Sequence, residues 1–381
     1  MIGAPLDRHH EEAAFLFASI PFPTRGQASV LEQLLLRVRT SRRLLDLAWQ
    51  HRTFLAVGRN LERVAPSLLS VRDSDELRTV QTLWGAVSDT YAAELLSIIS
   101  ALNAGGVPLM LLKAFSLFRD VPEYRNVRYY NDIDLLVPSH LRRRSHAILT
   151  HHGYRHGLFR YRRNEIEWLP RDATTERRHY EMTPLVRPLP LSLASFHSLN
   201  YVQTLSRRYC LPLLVRPQGV HVVVRLDVHW NIAAGADVGA IWRFRKPSDG
   251  NQHHAVTPDS YNMDGTHFLA YTICRSYLEM VRSPFRYHLK SFFDVLTVLK
   301  HRHIVIDVRR FVHLIGLLRM NAAAYYFLAH AASTFGDRRA RRLLVAVEST
   351  LGTQSWENDH GDFLPRMFDR YSIVRVLHGA S

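Results

Sequence analysis

Cysteine is nearly absent from this chain of 381 residues: Cys210 and Cys274 are its two thiols, far apart and outside any C-x-x-C spacing. That excludes a disulfide framework and a cysteine metal site, and it fits a reducing compartment. Lysine is scarce too, occurring only at 113, 246, 290 and 300, so the 49 basic residues are almost all arginine. Against that background Lys113, set in an apolar stretch, stands out. No apolar run approaches the length of a membrane span, and the short run Ala13–Ile20 follows two glutamates instead of the basic segment of a signal peptide. The expectation is a cytoplasmic, soluble protein with no membrane partner. Internal repeats and low-complexity tracts are also lacking.

What is present is ordinary core-forming material, 47% hydrophobic against 22% charged residues, in a chain long enough for two or three structural units. The net charge of +15 and the pI near 10.1 permit attraction to nucleic acid, nucleotides or anionic lipid. An arginine bias this uniform can equally reflect genome composition, so charge alone assigns no partner. Paired histidines at 9–10, 151–152 and 253–254 face different directions as neighbours must, and no zinc site is expected from them.

Periodicity divides the chain. Leucines and valines at helical spacing run from about Ala28 to Gly105, with Asp75 a candidate cap for the last long helix and Gly105-Gly106 its terminator. A strand follows at Val107–Leu112. Short alternating stretches between 154 and 188 suggest strands, Pro184, Pro188 and Pro190 mark an irregular connection, and Leu191–Tyr209 is a candidate helix. Val220–Trp230 is a clear strand, 235–265 is loop-rich with a turn at Pro247–Gly250, and helices resume from His267 to Leu351, with 371–377 an ill-defined tail. The fold class is α+β, a small mixed β-sheet core over 106–245 flanked by an N-terminal helical region, 1–105, and a C-terminal helical bundle, 246–381.

Chemistry shows in VPLMLLKAFSLFRDVPEYRNVRYYNDIDLLVP, residues 107–138. Alternation in a strand points Asp132 and Asp134 the same way, while Ile133 and Leu135 point into the core. Two carboxylates on one face repel unless a cation lies between them, and hard oxygen ligands of this kind suit Mg²⁺ or Mn²⁺. Alone, the pair fits a solvated edge strand equally well. Upstream, the strand ending at Lys113 enters a helical turn, Ala114-Phe115-Ser116, and a helix N-terminus beside a lysine suits triphosphate oxygens. Downstream, VHVVVRLDVHW sets Arg225, Asp227 and His229 on one face, which also fits an ordinary polar face of an antiparallel strand. Together, three carboxylates and a phosphate-binding turn suit phosphoryl or nucleotidyl transfer.

The run LLKAFSLFRDVPEYRNVRYYNDIDLLVP resembles the core motif of a bacterial nucleotidyltransferase family within the DNA polymerase β-like nucleotidyltransferase superfamily. Members show L-K-G, a short helix, a tyrosine, an arginine and D-I-D-L-L-V, which Lys113, Tyr124, Arg128, Asp132 and Asp134 match. The later LDVHW is similar to the family's D-L-H-W, placing Asp227 and His229. HFLAYTICRSYLE and LKSFFDVLTVLK, with His267, Lys290 and Asp294, extend the resemblance across residues 30 to 340. Ala114 stands where the family has glycine, and the superfamily's G-S pair is absent unless Ser116 substitutes.

The resemblance implies a magnesium-dependent enzyme moving a nucleoside monophosphate from a triphosphate, ATP in the first instance, to a hydroxyl on a small molecule, peptide or protein. Asp132, Asp134 and Asp227 would be catalytic and hold metal; Lys113, Ala114, Ser116, Arg128 and His229 would bind nucleotide. Two alternatives stay open: a degenerate nucleotidyltransferase-like protein binding RNA or a biosynthetic partner, and a transferase acting on RNA ends.

Overall fold

The computed structural model describes residues 10–170, 176–178, 181–192, 198–231, 245–247, 260–282 and 289–350, with 239 and 242 as isolated positions. His9, His253-His254, the turn at 248–250 and the tail 371–377 lie outside them. The helices are α1 (His10–Ala18), α2 (Arg25–Leu35), α3 (Arg42–Gln50), α4 (Phe54–Val64), α5 (Val71–Ala104), α6 (Lys113–Asp120), α7 (Arg142–His151), α8 (Leu199–Tyr209), α9 (Gly265–Arg282), α10 (Lys290–Lys300), α11 (Val308–Leu317), α12 (Asn321–Thr334) and α13 (Arg338–Glu348). The strands are β1 (Leu109–Leu111), β2 (Ile133–Leu136), β3 (Arg155–Arg160), β4 (Glu165–Trp168), β5 (Glu176–Arg178), β6 (Glu181–Met182), β7 (Leu185–Leu191), β8 (Leu213–Arg216), β9 (Gly219–His229), β10 (Arg245–Pro247) and β11 (Ser260–Met263). The protein is thus mixed α and β, with helices at both ends of the sequence, and no helix among the described residues is long and apolar enough to cross a membrane.

Two compact units result. One gathers residues up to Leu77, Val121–Tyr129 and the chain from Gly265 onward, so helices from both ends of the sequence share a core. Capping sets their starts. Thr24 and Gln27 form a reciprocal box at α2, and Asp307 and Asp337 accept from Arg310 N and Ala340 N at α11 and α13. Phe292 packs against Phe327 and Phe335 at 5.7 and 5.8 Å between ring centroids, and Phe17 meets Phe335 at 5.8 Å. Gln27 Nε2 donates to Phe335 O at 2.9 Å, and Lys300 Nζ donates to Phe22 O at 3.0 Å, so polar bonds also join early and late helices.

In the same unit Arg128 donates to both oxygens of Asp294, Nε to Oδ1 at 3.0 Å and Nη2 to Oδ2 at 2.7 Å, while the Tyr124 hydroxyl donates to Oδ1 at 2.6 Å. Asp294 has buried apolar neighbours on α10, where an acid needs a partner. Lys290, four residues earlier on the same helix, lies over the Tyr129 ring at 5.7 Å, and Arg128 takes the acid. A planar, two-toothed guanidinium satisfies a buried carboxylate better than a point charge.

The other unit, Arg78–Asp120 and Tyr130–Asp264, contains the mixed sheet, with strands in the order β10-β11-β1-β2-β9-β7-β3-β4 and β5, β6 and β8 attached beside it. The α5 helix ends where expected, at Gly105-Gly106, with Gly106 at φ +67°, a left-handed conformation that glycine adopts without a Cβ penalty. Its start differs from the expectation: Asp75 lies inside the helix, and the Ser70 hydroxyl caps it by accepting from Asp73 N at 3.1 Å. Pro188 and Pro190 do not mark an irregular connection either. They lie within β7, which pairs antiparallel with β9 along its whole length but with β3 only at Val186 and Leu185. Proline is tolerated there because the strand has no ladder to satisfy on its other side past Val186. Tyr129 and Tyr130 are both 2% exposed, so packing, not base stacking, accounts for them.

Candidate active site

The sheet order puts the two acid-bearing strands side by side. β2 and β9 run parallel, and their register sets Asp134 opposite Asp227 and Leu136 opposite His229. Leu112 N donates to Asp134 O at 3.0 Å, which seats the turn into α6 against β2. From that turn the Lys113 ammonium reaches Asp134 Oδ1 at 2.7 Å, and His229 Nε2 lies 3.1 Å from the same oxygen. Arg225 clamps Asp227 with a fork, Nε to Oδ1 at 3.1 Å and Nη2 to Oδ2 at 2.6 Å, and its Nη2 is also 3.4 Å from Asp132 Oδ2. Asp134 and His229 form the floor, each 2% exposed, whereas Lys113, Arg225 and Asp132 are 26%, 24% and 20% exposed and line the open side.

The backbone at the turn carries a second signal. Lys113 adopts φ +50°, an uncommon left-handed conformation for a residue with a side chain, whereas Ala114 is not among the residues with positive φ. Such conformations persist where surroundings over-determine them, here by the bond from the ammonium to a buried carboxylate. The methyl at 114 therefore meets no backbone conflict. Two residues on, the Ser116 hydroxyl is buried with no hydrogen-bond partner among the described residues. An orphaned buried hydroxyl costs about 1–3 kcal/mol, which a ligand oxygen would recover.

Electrostatics differentiate the three acids. Burial raises the Asp132 carboxyl, the Asp134 charge raises it further, and Lys113 and Arg225 offset only part of this. Burial works against Asp134 as well, yet Lys113 and the hydrogen bond from His229 hold it well below the usual carboxylate range. Asp227 is likewise held low, against burial, by the charge and bonds of Arg225. The guanidinium in turn is pushed up by Asp227 and Asp132 in spite of its burial. Asp132 is thus the acid whose charged form is least supported by its surroundings. Three hard carboxylate sets in one patch fit a divalent ion of the magnesium type, although no three acid or histidine side chains among the described residues converge as a ready-made metal cluster.

The site so assembled contains Asp132, Asp134, Asp227, Lys113 and His229, with Ala114 and Ser116 on the adjoining helix. Arg128, within the helical unit, is bonded to Asp294. Sequence reasoning gave no role to Arg225, although the alternation of β9 had already put it on the face of Asp227 and His229. It missed Tyr91 on α5, whose buried hydroxyl lies 3.1 Å from Asn131 O and 3.0 Å from Val223 O, tying the approach to β2 onto β9. No local signal marks Tyr91, since those partners lie 40 and 132 residues away.

A family model described as uncharacterised nucleotidyltransferase matches residues 39–336. No curated protein and no solved structure matches the chain.

Proposed function

Because the chain belongs to the uncharacterised nucleotidyltransferase family, we propose that it is a divalent-metal-dependent enzyme moving a nucleoside monophosphate from a nucleoside triphosphate to a hydroxyl acceptor. The observation that carries this is the parallel register of β2 and β9, which sets Asp134 beside Asp227 under the Lys113 ammonium. In this reading Asp132 and Asp134 hold the ion, and Asp227 completes the set when its oxygens are available. Magnesium or manganese held there would supply neutralisation of the triphosphate charge, while the acceptor oxygen attacks the α-phosphorus and pyrophosphate departs. Lys113 and the N-terminus of α6 receive phosphate oxygens, with the Ser116 hydroxyl as a further donor. His229 fixes the orientation of the Asp134 carboxylate by donating from Nε2. In this reading Asp227 assists removal of the proton from the attacking hydroxyl.

A second reading has its own observation: every one of the three carboxylates already meets a resident cation or histidine, as a degenerate binding module would keep them. Incubating the protein with labelled triphosphates, Mg²⁺, and either total RNA or total protein and metabolites separates the cases. Label should enter an acceptor with the wild-type chain and not with the Asp132→Asn/Asp134→Asn variant. Equal labelling by both would sink the enzyme reading, and label confined to RNA would identify an RNA-end transferase.

A further inference from the structure

Arg225 spans two of the three acids, and it holds Asp227 on both oxygens. The charge of Asp227 bears on Asp132, and Arg225 and Lys113 are the cations that offset it. A guanidinium engaging both oxygens of Asp227 and a divalent ion on the same oxygens compete, because the fork takes the lone pairs the ion would use and the two cations repel. We propose that Arg225 is a resident counter-cation, paired with Asp227 until a divalent ion enters and turned to the nucleotide phosphates once displaced. This rests on the nucleotidyltransferase reading and adds to it an order of events at the site.

Three observations support the exchange. The side chains of Arg225 and Asp132 are 24% and 20% exposed, against 2% for Asp134 and His229, so this edge of the cluster is the one solvent reaches. Its planar fork, matched here to a carboxylate, matches a phosphate equally well. Both oxygens of Asp227 are engaged by Arg225, at 3.1 and 2.6 Å, so an ion takes them only when that fork opens. Linkage then makes metal and nucleotide mutually reinforcing, since the nucleotide takes the arginine that the ion must displace.

The test is a double-mutant cycle on Mn²⁺ binding, measured by calorimetry on the full chain without nucleotide, using wild type, Arg225→Met, Asp227→Asn and the double variant. Arg225→Met should bind Mn²⁺ at least about tenfold tighter than wild type. In the Asp227→Asn background the same substitution should change affinity by less than about threefold, because the competition it removes no longer exists. At saturating Mn²⁺ the Arg225→Met protein should bind a nonhydrolysable triphosphate at least about tenfold more weakly. Gain of metal with loss of nucleotide is a pair of opposite signs that simple misfolding does not produce. Arg225→Gln, which keeps a neutral donor, repeats the measurement should the methionine variant fold poorly. Mn²⁺ affinity that is unchanged or weaker in Arg225→Met, or a gain that persists intact without Asp227, overturns the exchange and leaves the transferase reading standing. Absence of Mn²⁺ binding in wild type and Arg225→Met alike overturns both.

Discussion

Replacing Arg128 with methionine probes the most deeply buried ion pair described in the helical unit. Arg128 and Asp294 are 6% and 4% exposed at their side chains, and three hydrogen bonds of 2.6–3.0 Å converge on the carboxylate. Removing the guanidinium leaves Asp294 with the Tyr124 hydroxyl, and an uncompensated buried charge costs about 3–5 kcal/mol. For a domain of this size that corresponds to a fall in Tm of roughly 10 °C. Urea denaturation of Arg128→Met against wild type measures it. The companion Arg128→Met/Asp294→Leu should recover most of the loss, because a buried pair is often no better than an apolar replacement of similar volume. A loss under about 1 kcal/mol for Arg128→Met, or a double variant no more stable than the single one, would refute the claim that the pair is buried and mutually required.

Two further predictions follow from the same structure. His51 is 1% exposed, and burial pushes its imidazole down from the ordinary 6.5 to about 4. Below pH 6.5 the unfolded chain takes up a proton that the folded chain refuses, so stability present above pH 6.5 falls by roughly 3 kcal/mol as pH approaches 4. His51→Phe should flatten chemical denaturation across that window, and an unchanged slope counts against the assignment. Ala114→Gly should not improve the site, since the backbone at 114 needs no glycine. Stability should fall by up to about 1 kcal/mol from lost helix propensity, with triphosphate affinity unchanged within about threefold; a tenfold gain would show that the methyl obstructs phosphate.

The sequence made the site's acids legible because strand alternation is local: Asp132 with Asp134, and Arg225 with Asp227 and His229, share faces by parity alone. Their meeting was not legible. It depends on β2 and β9 pairing in parallel at a register fixed between residues almost a hundred positions apart. Lys113 was visible through its rarity, whereas its left-handed backbone was hidden, since glycine was the residue expected to carry that strain and it was expected one position later. Arg128 illustrates the opposite limit. Its place in a family motif beside the acids gave no hint of its partner in the fold, Asp294, which lies far away in sequence and takes its guanidinium on both oxygens. The two prolines of β7 misled for a related reason: proline weakens a strand only on the side where a ladder bond is needed, which the sequence does not reveal.

The central claim is that Asp132 and Asp134 hold a divalent ion that brings a triphosphate to Lys113. Calorimetric titration of nucleoside triphosphates into wild type and Asp132→Asn/Asp134→Asn, each with and without Mg²⁺, tests it most directly. The account predicts saturable binding by wild type that requires Mg²⁺ and is lost in the variant, with both proteins folded by circular dichroism. Binding that ignores Mg²⁺, or survives intact in the variant, would contradict it.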